Sequence, residues 1–180
     1  KQLMLRAGHD KGRIYRVVLQ GKPSRAIPDF EKMETAQLVD TLASPNGWTR
    51  DMAHRLLLWR GDRTTAARLL ATAAATSENA LQRLHALCVL DGLNAVAPAH
   101  VASAMEDRHP GVRRHAVRIA ERFAASKSRH TVIAAIVALA KQEREPQVIM
   151  QLAYSLGAFD DASAGYALGA LLARHGGQRY

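Results

Sequence analysis

Cysteine is almost missing from this 180-residue chain, with Cys88 the single example. That excludes an intramolecular disulfide, a CxxC redox pair, a CxxCH haem attachment and a cysteine-rich zinc site within it. Aromatic residues make up only 5%, against 48% apolar residues in all. Alanine and leucine must therefore supply the packing, a balance that suits helices better than sheets. Long apolar runs are lacking too. The best candidate, 131–140, is about half of the roughly 20 residues a membrane-spanning helix needs, so no transmembrane segment is expected. The sequence starts at Lys1 without a basic-then-apolar signal and reads as a mature form or a piece of something longer.

The usual catalytic signatures are equally scarce. GxSxG, HExxH, GxGxxG and GxxxxGK[ST] do not occur. No catalytic residue, cofactor or metal is expected in these residues. His85 and Cys88 stand three apart on one helical face, a spacing that can bring two ligands to one ion. With no third ligand in view, they read instead as a buried thiol and a partly buried imidazole in a helix interface. His109 and His115 diverge in direction. Asp160 and Asp161 precede a helix and read as capping residues, and Gly165 with Gly169 reads as a mark of close helix packing.

What is abundant is positive charge, with 25 Lys and Arg against 16 Asp and Glu, net +9. Its location matters more than its sum. Residues 1–25 hold Lys1, Arg6, Lys11, Arg13, Arg16, Lys22 and Arg25 against Asp10, net +6, leaving +3 for the other 155. A DNA- or RNA-binding role is therefore not favoured by the body of the chain. The leader, to about residue 28, carries Gly8, Gly12, Gly21, Pro23 and Pro28 around an Arg13-Ile14-Tyr15-Arg16-Val17-Val18-Leu19 run that reads as one extended strand.

Beyond residue 28 the pattern changes to helix-length apolar segments punctuated by Asp, Ser, Asn, Pro and Gly. Aligning Trp48, Leu81, Val112 and Val148 gives spacings of 33, 31 and 36. Ala53, Ala86, Val117 and Ala153 follow five residues later, and Leu56, Val89, Ala120 and Leu156 eight residues later, all in one helical arc. Partner helices are expected over 31–42, 62–75, 97–106, 129–141 and 160–174. The fold expected is an all-α superhelix, a solenoid of about four and a half helix pairs over 29–180, preceded by the short extended segment 1–28. Trp48, at the anchor position, is expected in the core.

The segments Ser44-Pro45-Asn46-Gly47-Trp48-Thr49-Arg50-Asp51, His109-Pro110-Gly111-Val112-Arg113 and Glu145-Pro146-Gln147-Val148 resemble the second helices of HEAT repeats. The narrower run His9-Asp10-Lys11-Gly12-Arg13-Ile14-Tyr15-Arg16-Val17, with 43–51 and Arg83-Leu84-His85-Ala86-Leu87, is similar to the membrane-bound dehydrogenase family that joins a sorbosone-dehydrogenase-like β-propeller, HEAT repeats and a c-type cytochrome domain. The resemblance implies that residues 13–18 close a propeller. It also implies that the rest is a non-catalytic scaffold within an exported or periplasmic oxidoreductase, with a protein partner or neighbouring domains as its ligand. An alternative resemblance, carried by Trp48, Trp59 and the basic residues, is to the HEAT-like alkylpurine DNA glycosylases.

Two surfaces follow from the register. Two residues after the anchor come Arg50, Arg83 and Arg114, then Met150. With Arg118 they would form an outward basic stripe across helices spaced about 8–10 Å apart. The stripe reads as an anion-facing ladder, or as arginines each paired with a turn carboxylate such as Asp51, Asp62 or Asp107. The last helix, with Tyr166, Leu168, Leu171 and Leu172 and no partner after it, is expected to self-associate.

Overall fold

The computed structural model describes residues 17, 20–21 and 26–177. The expected strand at 13–18 lies, apart from Val17, outside the described residues. Among those described the chain is helical throughout: α1 (Thr35–Thr41), α2 (Gly47–Arg60), α3 (Thr65–Thr76), α4 (Ala80–Gly92), α5 (Pro98–Ala104), α6 (Pro110–Ala120), α7 (Arg129–Gln142), α8 (Pro146–Leu156) and α9 (Ala162–His175). Short 3-10 turns occupy Phe30–Lys32 and Glu121–Phe123. The first expected helix is thus two pieces. A break at Met33, in extended conformation, separates the 3-10 turn from α1.

The helices alternate between two layers. α1, α3, α5, α7 and α9 stack side by side in one layer, and α2, α4, α6 and α8 in the other, each first helix packing on the second helix that follows it. This is the solenoid-like arrangement of four pairs and a final single helix. The seam between the layers holds the core, in which Leu38, Leu57, Leu70, Leu87, Leu90, Ile119, Ile136, Leu152, Leu156 and Leu171 are fully buried. Leucine and isoleucine at one-turn spacing, with Ala53, Ala86, Ala116 and Ala140 between them, let the layers approach closely. Each buried leucine contributes about 1.5–3 kcal/mol.

The turns explain the sharp helix starts. α2, α4 and α6 begin at N-caps Asn46, Asn79 and His109, whose side chains accept from Trp48, Leu81 and Gly111 N–H at 3.1, 2.9 and 3.1 Å. Two residues earlier, Ser44, Ser77, Asp107 and Glu143 accept from the backbone N–H of Asn46, Asn79, His109 and Glu145. Pro110 and Pro146 take the first helical position, where a missing N–H costs nothing. Pro45 instead lies one residue outside its cap. α2 ends at Gly61 with φ +64°, a left-handed C-cap that glycine adopts without strain. Asp161 caps α9 by accepting from Ser163 N–H at 2.9 Å.

Counting from the N-caps gives the true repeat: Asn46, Asn79, His109 and Glu145, at spacings of 33, 30 and 36. Trp48 and Leu81 sit two residues after their caps, whereas Val112 and Val148 sit three after. The sequence alignment therefore slips by one residue between the second and third repeats. One residue is about 100° of helix, which rotates the first two anchors out of the core. Trp48 is 51% exposed and Leu81 40% exposed, while Val112 and Val148 are buried. Trp48 keeps one edge-to-face contact with Phe30, at 5.8 Å between ring centroids.

Candidate functional site

The same slip redistributes the arginines. Arg50, Arg83 and Arg113, each four residues after a cap, are equivalent, and each turns back to donate through Nη1 to the carbonyl six residues before it: Ser44 O, Ser77 O and Asp107 O, at 2.7, 2.8 and 2.9 Å. Two of them then reach forward into the next repeat. Arg83 grips Asp107 through Nε and Nη2 at 2.6 and 2.7 Å, and Arg113 grips Glu143 in the same two-pronged way at 2.7 and 2.8 Å. Arg83 is 5% exposed. It is not a member of an outward stripe, because its planar fork is consumed by a neighbouring turn. Arg113 was missed by the sequence reading for the same reason that Arg114 was included, the one-residue slip.

These pairs are electrostatically closed. Burial alone would raise the carboxyls of Asp107 and Glu143, but the hydrogen bonds from Arg83 and Arg113 and from backbone N–H groups overcome it and hold both below their ordinary values. The guanidinium partners are raised in turn, chiefly by the same hydrogen bonds. Asp107 and Glu143 thus join two repeats and at once tie down the residue that caps the next helix.

The outward face of the second-layer helices has a different character. α2, α4, α6 and α8 together contain seven arginines, both tryptophans and Tyr154, but no lysine or glutamate and only Asp51 and Asp91 as acids. Trp48, Trp59, Leu81, Met150 and Tyr154 are exposed on these helices, Trp59 at 79% and Tyr154 at 72%. Arg55 lies over the Trp59 ring at 5.8 Å. Among the described residues Arg114 has no carboxylate partner and hydrogen-bonds the neutral Gln147 amide, at 3.3 Å. Arg118 lies 3.7 Å from Asp91, a carboxylate that Arg122 already holds. Of the four expected stripe residues, Arg114 and Arg118 point outward. Arg50 is half-buried and directed at Ser44 O and His85, and Arg83 is internal.

Between the arginines lies a row of imidazoles and a thiol that single-helix spacing did not reveal. His54 of α2 and His85 of α4 face each other Nδ1 to Nδ1 at 3.2 Å with ring centroids 5.5 Å apart, so the nitrogens lie near the line joining the rings. Arg50 Nε donates to His85 Nε2 at 3.4 Å. His85 therefore carries its proton on Nδ1 and donates to His54, an assignment fixed by the network. Cys88 faces His115 of α6 at 3.7 Å. Burial is the first cause holding all three imidazoles below their ordinary value, joined at His54 by His85, at His85 by Arg50 and at His115 by Arg114. Burial pushes the Cys88 thiol up, so it is a poor nucleophile. His85 and Cys88 turn to different partners, and no three His, Cys, Asp or Glu side chains converge as a metal site among the described residues.

A cleft of about 500 Å³ lies at the turn edge between α3 and α5. Ala71, Ala74 and Ala99 line it together with two ion pairs, Arg83–Asp107 and Arg108–Glu78, and with Glu106. Comparison with family models, curated proteins and solved structures gives no match to this chain.

Proposed function

We propose that the chain is a non-catalytic interaction module of a larger protein, an array of HEAT type that holds a partner or neighbouring domains on the outward face of α2, α4, α6 and α8. One observation carries the reading, the composition of that face. Interface cores are enriched in Trp, Tyr, Met and Arg and depleted in Lys, Glu and Asp. The second-layer helices show that bias and leave Trp48, Trp59, Met150 and Tyr154 in solvent, whereas α1, α3, α5, α7 and α9 carry a single aromatic residue, Tyr166. The resemblance to dehydrogenase-linked HEAT segments supports a role in spacing redox domains of an exported protein.

The test is site-specific photocrosslinking. Benzoylphenylalanine placed at Tyr154 or Trp59 should trap discrete adducts in extracts of the source cells, and the same probe on the first layer at Arg68 should not. Equal adduct patterns from both layers would overturn the reading.

A further inference from the structure

We propose that the strip of second-helix face running from Arg55 across His85 and Cys88 to Arg114 and Arg118 binds an acidic polypeptide segment in which carboxylates alternate with apolar side chains. The inference rests on the docking-face reading above and names its occupant.

Charge complementarity points to an anion. Arg55 has no carboxylate within ion-pair distance among the described residues, and its contact is the Trp59 ring. Arg114 donates to a neutral amide, and Arg118 shares Asp91 with Arg122. Guanidinium groups left without a dedicated carboxylate at a surface favour a bidentate anion. The buried Arg83–Asp107 and Arg113–Glu143 pairs show the contrast, since there the same fold supplies the acid itself.

Spacing points to a polypeptide. Arg55, Cys88 and Arg118 all lie nine residues after their caps, hence at one level on three adjacent helices. Two helix spacings separate the outer arginines by about 16–20 Å, which an extended chain covers in about five or six residues. A small anion cannot bridge that distance. Between the arginines the surface offers short, half-buried His85 and Cys88 with exposed Leu81 beside them, which suits apolar side chains. A nucleic-acid backbone presents a charge at every nucleotide and would meet Asp51, near His54 and His85, and Asp91, beside Arg118. A peptide can place its acids only where the arginines are.

The experiment uses the full 180-residue chain and fluorescence anisotropy with a labelled peptide of about 14 residues repeating Glu-Leu-Glu-Ala. A matched Gln-Leu-Gln-Ala peptide, a Lys-Leu-Lys-Ala peptide and a single-stranded oligonucleotide of equal length serve as comparisons. The acidic peptide should bind at least about tenfold more tightly than the neutral one, and Arg55→Gln with Arg118→Gln should weaken it by about tenfold or more, as expected on losing two charge-assisted hydrogen bonds. Arg13→Gln with Arg16→Gln in the basic leader should leave it within about twofold. Both face arginines are exposed, so an unchanged thermal midpoint verifies folding of the variant, and the Lys peptide gives the sign of the charge preference without any substitution. Equal binding of acidic and neutral peptides, loss only in the leader variant, or tighter oligonucleotide binding that depends on Arg55 and Arg118 would overturn the proposal. If acidic binding fails while Tyr154 still crosslinks, the occupant is wrong and the docking face stands; if both fail, both fall.

Discussion

Replacing Arg83 by Met tests whether the turn clasp holds the stack together. The side chain is 5% exposed and donates to Ser77 O, Glu78 O and both oxygens of Asp107. Methionine fills the volume but leaves the Asp107 carboxylate buried with, among the described residues, the His109 N–H alone. Removing one partner of a buried, hydrogen-bonded ion pair costs about 3–5 kcal/mol. With a urea m-value of about 2 kcal/mol/M, the midpoint should fall by about 1.5–2.5 M, and the melting temperature by at least about 6 °C. Two probes sharpen the assay. Both tryptophans lie on α2, so their emission reports the first pair, whereas circular dichroism reports all helices. Because neighbouring repeats stabilise one another, weakening the joint between the second and third should separate transitions that coincide in the parent chain. Adding Asp107→Asn, which retains an acceptor for His109 N–H and removes the stranded charge, should restore about 1–2 kcal/mol. Arg108→Ala nearby breaks an ion pair whose side chains are 66% and 90% exposed and should leave the midpoint nearly unchanged. A midpoint shift below about 0.5 M for Arg83→Met, or one equal to that of Arg108→Ala, would refute the reasoning.

Acidification should destabilise the chain from about pH 6.5 downward, because His54, His85 and His115 are held below that value when folded and the unfolded state takes their protons first; a urea midpoint that is flat between pH 7.5 and 5 would contradict this. The clasp carboxylates act lower, their stabilisation being present above about pH 4 and lost as pH falls through their depressed values, so a second acid limb should appear there and vanish in Asp107→Asn with Glu143→Gln. Gly165→Ala and Gly169→Ala should each raise stability by about 0.5–1 kcal/mol, since an added methyl at either meets nothing within 4 Å; a lowered melting temperature would mean that the glycines are packed against something. Trp48→Ala should cost less in stability than Val112→Ala, despite its size, because Trp48 is half-exposed and Val112 is 1% exposed; the reverse order in urea melts would restore the original register. Leu172→Glu should abolish self-association through the α8–α9 end, where Leu172 and Tyr154 are exposed beside a groove of about 280 Å³, and light scattering showing a monomer at every concentration of the parent chain would dismiss that role.

The layered helix stack was readable because apolar periodicity and turn residues recur in each unit, and no distant pairing is needed to see them. Pair number, helix type and the capping role of Asp161 came from these local signals. The face of each helix did not. Pro45 sits outside its helix while Pro110 and Pro146 sit inside theirs and the second repeat has Ala80 instead, so aligning on the large apolar residues Trp48, Leu81, Val112 and Val148 shifts two repeats against the other two. The signal that would have fixed the register was the residue two before each cap: Ser44, Ser77, Asp107 and Glu143, each short or acidic and each bonded to the cap N–H. Contacts between helices, such as His54 with His85 and Cys88 with His115, are invisible to a search along one helix. The close-packing reading of Gly165 and Gly169 failed within the chain because α9 turns those positions outward, away from α7 and α8. Leu171, read from the sequence as part of the unpartnered face of the last helix, packs inside instead, while Tyr166 and Leu172 stay in solvent.

The forward grip of arginine on acid has a direction, and that direction makes one segment a natural building block. Residues 107–142 open with an acid that receives from behind and contain an arginine that gives ahead. Tandem copies of this segment would present Arg113 of one unit to Asp107 of the next, the same chemistry that already links the second repeat to the third. The flanking segments lack one half of the coupling, since the second repeat opens with Ser77 and the fourth carries Ile149 where the arginine would be. Lengthening the rod by engineering should therefore proceed from its middle, with the two outer units kept as terminators.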